Sequence, residues 1–140
     1  MIDKTGSARW EGGLKDGKGT VSTQSGALKD QPYGFATRFE DKPGTNPEEL
    51  IGAAHAACFS MALSMMLGQA GVDDVKIETT SKIGLEKDGD GFAIKTAHLV
   101  TRVSGNGDPA VIEDCARQAE KGCPVSKLLN AEITMDVTVG

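Results

Sequence analysis

Aromatic residues are scarce in this chain of 140 residues, with one Trp, one Tyr and four Phe. So few rings do not make a platform for stacking nucleic-acid bases. The formal net charge of −5 is also opposite in sign to a nucleic-acid footprint, so we expect no nucleic-acid partner. The 39% of hydrophobic residues is enough for a core, and the length suits one domain. We therefore predict a single globular domain over residues 1–140.

Cysteine is scarce too, and only Cys58, Cys115 and Cys123 are present. No C-x-x-C pair occurs, which excludes a zinc ribbon and a thioredoxin-type motif. Residues 1–6 carry charges and no apolar segment, so we expect no secretory signal and a cytoplasmic location. In a reducing compartment such an odd, sparse set does not suggest a disulfide scaffold. The thiols are therefore of more interest as reactive groups.

The segment after residue 45 carries the signals of a helix start. Asn46 suits the N-cap, Pro47 suits the first helical position, and the acidic Glu48 and Glu49 suit the positive end of the helix dipole. The helix should run to about residue 70 and end at Gly71.

No charged side chain occurs between Leu50 and Val72. This length would span a membrane, but the segment contains His55, Ser60, Ser64 and Gln69 and lacks basic flanks, so we expect no membrane partner. A helix that is apolar on all sides must be buried on all sides. A chain this short has difficulty enclosing such a helix, which favours a dimer that packs it against its partner.

The rest of the chain predicts strands and two further helices. Helices are expected at 109–121, with Asp108 as N-cap, and at 123–129. Apolar and polar residues alternate in the remaining segments, and strands are expected at 8–11, 20–23, 35–39, 75–85, 92–103 and 133–139. The strand at 35–39 would place Arg38 on one face. The predicted class is α+β, with antiparallel sheets around a long buried helix and no parallel strand pairing.

His55 and Cys58 are three residues apart on the predicted helix and so share a face. The pair has three functional readings: metal ligands, a Cys–His nucleophile of hydrolase type, or a histidine that shapes the pocket of the thiol. A metal would need further ligands that the chain does not clearly supply. A hydrolase would need a residue that orients His55, and none is evident in the sequence. A core histidine with satisfied hydrogen bonds is the interpretation we favour.

The other two cysteines have different surroundings. Cys115 lies with Val111, Ile112 and Ala116 on an apolar helix face, which predicts a buried, inert thiol. Cys123 stands before Pro124 at the start of a helical turn, where backbone N–H groups can stabilise a thiolate. A second thiol in the middle of a buried helix, Cys58, supports a functional role for Cys123.

Two segments of the chain resemble the OsmC/Ohr family, the osmotically inducible protein C and organic hydroperoxide resistance proteins. They are residues 45–60, TNPEELIGAAHAACFS, and residues 121–126, KGCPVS. The likeness extends from the Trp-Glu-Gly at 10–12 to the last strand. His55, where the Ohr branch usually has an aromatic residue, and Arg38, after Pro-Tyr-Gly-Phe, are similar to the OsmC branch.

The resemblance implies an OsmC-like fold, an intertwined homodimer with active sites at the subunit interface, and thiol peroxidase activity without a cofactor or metal. By motif, Cys58 would be the peroxidatic thiol and Cys123 the resolving thiol, with Arg38 and Glu48 as the activating polar pair.

Apolar side chains expected around the site, among them Phe35, Phe39, Met61 and Met65, favour organic hydroperoxides over hydrogen peroxide. A dithiol reductant, expected from the resemblance to be a lipoylated protein, would complete the cycle. The alternative is a non-catalytic small-molecule-binding or structural dimer of the same fold.

Helix geometry adds a prediction about which chain supplies Glu48. It precedes Cys58 by ten residues on one predicted helix, which is roughly 15 Å along the axis and about 80° around it. A glutamate side chain does not readily span that distance. If both act in one site, the partner chain supplies Glu48, and Arg38, which joins the helix start through a short loop, should accompany it.

Overall fold

The computed structural model describes residues 1–140, and they divide into two units, Met1–Leu50 and Ile51–Gly140. Each unit has its own three-stranded sheet. The α+β class predicted from the sequence is confirmed. A single functional domain over the whole chain remains a prediction.

The sheet of the first unit contains β1 (Gly6–Glu11), β2 (Lys18–Thr23) and β3 (Gln31–Tyr33). The strands lie in that order, and both pairings are antiparallel. The strands predicted at 8–11 and 20–23 are confirmed as parts of β1 and β2, which pair in antiparallel orientation. A short helix, α1 (Phe35–Phe39), follows the sheet and carries Arg38.

The predicted strand at 35–39 is wrong, because these residues form α1. Thr37 favours the helical turn: its hydroxyl donates to the Gly34 carbonyl at 3.0 Å and accepts from the Gly34 N–H at 2.9 Å. Phe35 and Phe39 stand four residues apart, a spacing that fits both a strand face and a helix face. Their ring centroids are 5.0 Å apart, which stabilises the helical alternative.

The long helix α2 spans Pro47–Gln69, close to its predicted bounds. Asn46 caps it, since its side-chain oxygen accepts a hydrogen bond from the Glu49 N–H at 2.8 Å. The chain leaves the helix at Gly71, whose φ of 79° lies in the left-handed region that glycine enters without strain.

The second unit contains the sheet β4 (Asp73–Asp88), β5 (Gly91–Asn106) and β6 (Glu132–Val139). Between β5 and β6 lie α3 (Pro109–Gly122) and α4 (Pro124–Leu128). The antiparallel pairing expected of the strands at 75–85 and 92–103 is confirmed in β4 and β5, but β5 and β6 pair in parallel, so the expectation of no parallel pairing is wrong. The two helices return the chain to the end where β5 begins, as a parallel crossover requires.

The core of the second unit lies between α2, the sheet and α3. One face of α2 contributes Phe59, Leu63 and Leu67, which repeat every four residues and are fully buried. Gly52 allows the helix to approach β4, because a Cβ built there would lie 2.8 Å from the Ser81 carbonyl oxygen.

A second face of α2 is exposed in the single chain, where Met61 is 75% and Met65 57% exposed. One chain therefore does not enclose α2 on all sides, as the short length of the chain led us to expect. The charge-free segment does make α2 long and apolar enough to cross a membrane by length and composition alone.

Candidate functional site

Cys58 and Cys123 are brought together within the second unit, although 65 positions separate them in the sequence. Cys58 lies near the middle of α2 and is partly buried, whereas Cys123 sits at the α3–α4 junction and is fully buried. Their side chains form a hydrogen bond, and both are free thiols. Two neighbouring free thiols can be oxidised to a disulfide.

The environment of Cys58 opposes ionisation. Burial raises the pKa of its thiol, and the hydrogen bond with the Cys123 side chain raises this pKa further. The Val125 backbone N–H, which donates to Cys58, acts in the opposite direction. From the sequence we expected the backbone N–H groups of the turn that follows Cys123 to stabilise the Cys123 thiolate. In the structure the Val125 N–H instead donates to Cys58. The second unit alone therefore leaves Cys58 mostly protonated at neutral pH.

His55 lies one turn before Cys58 and is fully buried. Its Nδ1 is 2.8 Å from the Ser81 hydroxyl of β4, and its Nε2 is 2.8 Å from the Ser126 hydroxyl of α4. Burial lowers the pKa of the imidazole, so the ring is neutral at physiological pH. The favoured interpretation, a core histidine with satisfied hydrogen bonds, is confirmed, and both ring nitrogens are engaged by serines.

Sequence analysis did not single out these two serines. Ser126 is 7% exposed and lies within the segment that carries Cys123, so its position was a signal that could have been used. Ser81 lies in a strand, where the alternation of side chains assigns it to one face of the sheet and does not identify its hydrogen-bond partner. Hydrogen bonding between such distant positions is visible only in the folded chain.

Arg38 and Glu48 form a bidentate ion pair within the first unit. The Arg38 Nε–Glu48 Oε1 distance is 3.0 Å and the Nη2–Oε2 distance is 3.1 Å. This is the fork geometry that fixes a guanidinium in orientation. The side chain of Glu48 is 12% exposed and that of Arg38 is 36% exposed, so the pair leaves part of the guanidinium accessible to a ligand.

A cavity of about 180 Å³ adjoins Arg38 in the first unit. Aromatic and aliphatic side chains dominate its lining, which consists of Trp10, Leu14, Tyr33, Gly34, Phe35, Arg38 and Phe39. A permanently charged donor beside apolar walls suits a ligand with one polar and one hydrocarbon end. The cavity is smaller than a usual pocket for a small molecule.

Cys115 lies on α3 and is 7% exposed. Burial raises the pKa of its thiol, and the neighbouring Asp114 carboxylate adds to this effect. It packs in the same core as Ile112 and Ala116. The sequence-based prediction of a buried core thiol is confirmed.

The family model described as "OsmC-like protein" matches residues 39–138. This chain belongs to the OsmC family. The resemblance read from the two cysteine segments is thereby confirmed.

Curated relatives agree with this family. The chain is 57% identical to "Peroxiredoxin OsmC" of Escherichia coli K12 over 96% of its own length and 95% of that protein. It is 34% identical to "Organic hydroperoxide resistance protein-like 2" of Staphylococcus epidermidis, over 67% of this chain and 68% of that one.

Solved structures have the same fold. The chain superposes on the organic hydroperoxide resistance protein OhrB of Bacillus subtilis with a TM-score of 0.69 and 25% identity, covering 96% of this chain and 98% of that one. An organic hydroperoxide resistance protein from Elizabethkingia anophelis matches with a TM-score of 0.71 and 24% identity, covering 97% and 96%.

Proposed function

We propose that this member of the OsmC family is a thiol-dependent peroxidase that reduces organic hydroperoxides, and hydrogen peroxide more weakly, as part of an antioxidant stress response. The observation that carries the proposal is the contact between the Cys58 and Cys123 thiols. A relative with 57% identity that is named a peroxiredoxin gives that contact its chemical meaning.

The first step is nucleophilic. The Cys58 thiolate attacks one peroxide oxygen, the O–O bond breaks, and an alcohol leaves after taking up a proton. Cys58 becomes a sulfenic acid, oxidised by two electrons while the peroxide is reduced by two. Only a thiolate attacks at a useful rate, so the raised pKa of Cys58 calls for a positive group beside the sulfur.

Arg38 is the group proposed to meet that need. Its guanidinium stays charged at any physiological pH and donates several hydrogen bonds. It would stabilise the thiolate and then the oxygen that leaves. Glu48 holds it through two hydrogen bonds, so little further ordering is required when a peroxide binds.

The second step joins the two thiols. Cys123 attacks the sulfenic sulfur of Cys58, a disulfide forms, and water leaves with the thiol proton. A dithiol then reduces the disulfide by exchange, and we propose a lipoylated protein as the physiological reductant because the family resemblance implies it. Cys115 has no part in the cycle.

The active site is proposed to be shared by two chains of a homodimer. Glu48 and Cys58 are separated on the unbroken helix α2 by roughly 15 Å along its axis, so a glutamate does not reach the thiol of its own helix. Each site would therefore contain Cys58 and Cys123 from one chain, with Arg38 and Glu48 from its partner. The exposed Met61 and Met65 would be covered in such a dimer.

Substrate preference follows from the apolar cavity beside Arg38. Its aromatic lining favours the alkyl part of an organic hydroperoxide over hydrogen peroxide, which has none. The small volume of the cavity in one chain is consistent with a site completed by the partner. A soluble, cytoplasmic dimer, rather than a membrane protein, is the proposed form, since α2 hydrogen-bonds through His55 and Ser60 to β4.

Peroxide consumption with a dithiol reductant tests the proposal, with cumene hydroperoxide compared with hydrogen peroxide. We expect faster turnover with cumene hydroperoxide and none in Cys58→Ser, which is nearly isosteric and should keep the fold. Cys123→Ser should complete one oxidation and then accumulate sulfinic or sulfonic acid at Cys58, seen by mass spectrometry. Cys115→Ser is the matched control and should behave as wild type.

Turnover that persists in Cys58→Ser would remove Cys58 as the nucleophile. Normal multiple turnovers in Cys123→Ser would show that another thiol resolves the sulfenic acid. A wild-type protein that consumes no peroxide and loses no thiols on exposure to it would favour the non-catalytic dimer.

A further inference from the structure

His55 connects the helix that carries Cys58 with the short helix that follows Cys123. Its Nε2 contacts the Ser126 hydroxyl of α4, and its Nδ1 contacts the Ser81 hydroxyl of β4, each at 2.8 Å. A neutral imidazole donates from one nitrogen and accepts at the other, and serine hydroxyls rotate to suit either role. A fully buried ring is thus anchored at both ends.

The first turn of α4 directs three groups towards this part of α2. The Cys123 side chain and the Val125 backbone N–H both hydrogen-bond to Cys58, and the Ser126 hydroxyl bonds to His55. His55 and Cys58 lie three residues apart, on one face of α2. The His55–Ser126 bond is the only one of these three that does not involve a sulfur which changes oxidation state in the proposed cycle.

We propose that His55 is a positioning residue for the resolving step: through Ser126 it holds α4 against α2 and keeps the Cys123 thiol in contact with Cys58. This inference rests on the proposed peroxidase function. His55 exchanges no proton with either thiol, because both ring nitrogens are occupied by serines.

The position of α4 matters because the sulfenic acid of Cys58 has two fates. Attack by Cys123 forms the S–S bond, breaks the S–O bond and releases water. A second peroxide molecule instead adds an oxygen to give sulfinic acid, which a dithiol does not reverse. Any opening of α4 lowers the effective concentration of Cys123 at Cys58 and shifts this competition towards over-oxidation.

Ser126→Ala and Ser81→Ala form a matched pair. Each leaves one buried nitrogen of His55 without its serine, so a merely structural role predicts similar effects. The proposed role predicts that only Ser126→Ala releases α4. In the reduced protein, iodoacetamide should modify Cys123 about tenfold faster in Ser126→Ala than in wild type, the change expected for one lost buried hydrogen bond. Ser81→Ala should stay close to wild type. Peptide mass spectrometry assigns the modified cysteine.

The same variants are then treated with cumene hydroperoxide and a dithiol. Ser126→Ala should show a larger fraction of sulfinic acid at Cys58 per turnover, and Ser81→Ala should not. Equal behaviour of the two variants in either measurement overturns the inference. The alkylation measurement needs no peroxidase activity, so failure of the proposed function, seen as wild type that consumes no peroxide, is distinguishable.

Substitutions of His55 itself give a second, independent pair. The amide of asparagine occupies about the position of Nδ1, and the longer glutamine reaches that of Nε2. His55→Asn should therefore keep the Ser81 bond and behave as Ser126→Ala, whereas His55→Gln should keep the Ser126 bond and limit over-oxidation. The reverse order of the two variants would also refute the positioning role.

Discussion

Subunit complementation tests the shared site directly. Cys58→Ser and Arg38→Ala should each be inactive as homodimers, because one removes the nucleophile and the other its activating charge. In a mixed dimer the two altered residues fall in the same site if Arg38 comes from the partner. The other site then has its thiols from the Arg38→Ala chain and its arginine from the Cys58→Ser chain, and it is intact.

The expected magnitude follows from two-fold symmetry. Random assembly of equal amounts makes about half of the dimers mixed, and each mixed dimer has one intact site of two, so about a quarter of wild-type activity should return. Purified mixed dimers should have about half of the wild-type activity per dimer. The two chains are co-expressed with different affinity tags and purified over both columns, because the proposed intertwined dimer would not exchange subunits readily.

Two further mixtures serve as controls. Cys58→Ser with Cys123→Ser should not recover, since the contact between these thiols lies within one chain. Arg38→Ala with Glu48→Ala should not recover either, because the bidentate pair also forms within one chain. If the mixture of Cys58→Ser with Arg38→Ala stays inactive although mixed dimers are shown to form, the site is built within one chain and the argument from α2 is wrong.

Two predictions concern stability and are measured by urea denaturation. Gly52→Ala should destabilise by about 1–3 kcal/mol, because its Cβ would lie 2.8 Å from the Ser81 carbonyl oxygen. Gly68→Ala on the same helix has no atom within 4 Å of its Cβ and should stabilise by about 0.5–1 kcal/mol; equal effects would contradict the close approach. Burial lowers the pKa of His55 below 6.5, so below that pH the unfolded chain takes up a proton that the folded chain refuses. As the pH is lowered below that value, the free energy of unfolding should decrease by up to about 1.4 kcal/mol per pH unit relative to that of His55→Gln. A difference in stability between the two proteins that does not change with pH would refute the burial of a neutral ring.

Local signals in the sequence predicted most of the elements correctly. Asn46 and Pro47 marked the start of α2 and Gly71 marked its end, because helix capping depends on neighbouring residues alone. The strands β4 and β5 were predictable from their own alternation of apolar and polar residues. The helix α1 at residues 35–39 was not predictable in this way. Its two phenylalanines are four residues apart, and this spacing fits both the alternation of a strand and the repeat of a helix.

The sequence proposed Cys58, Cys123, Arg38 and Glu48 as site residues through their resemblance to family motifs, and these roles stay predictions. It indicated correctly that Cys115 is a core thiol. It did not reveal that β6 pairs in parallel with β5, because strand direction depends on the path of the crossover helices. Nor did it reveal that the Val125 N–H serves Cys58, or that two serines 45 residues apart hold one histidine. Those contacts join residues distant in the chain, and only the packing of α4 and β4 against α2 brings their polar atoms within hydrogen-bonding distance.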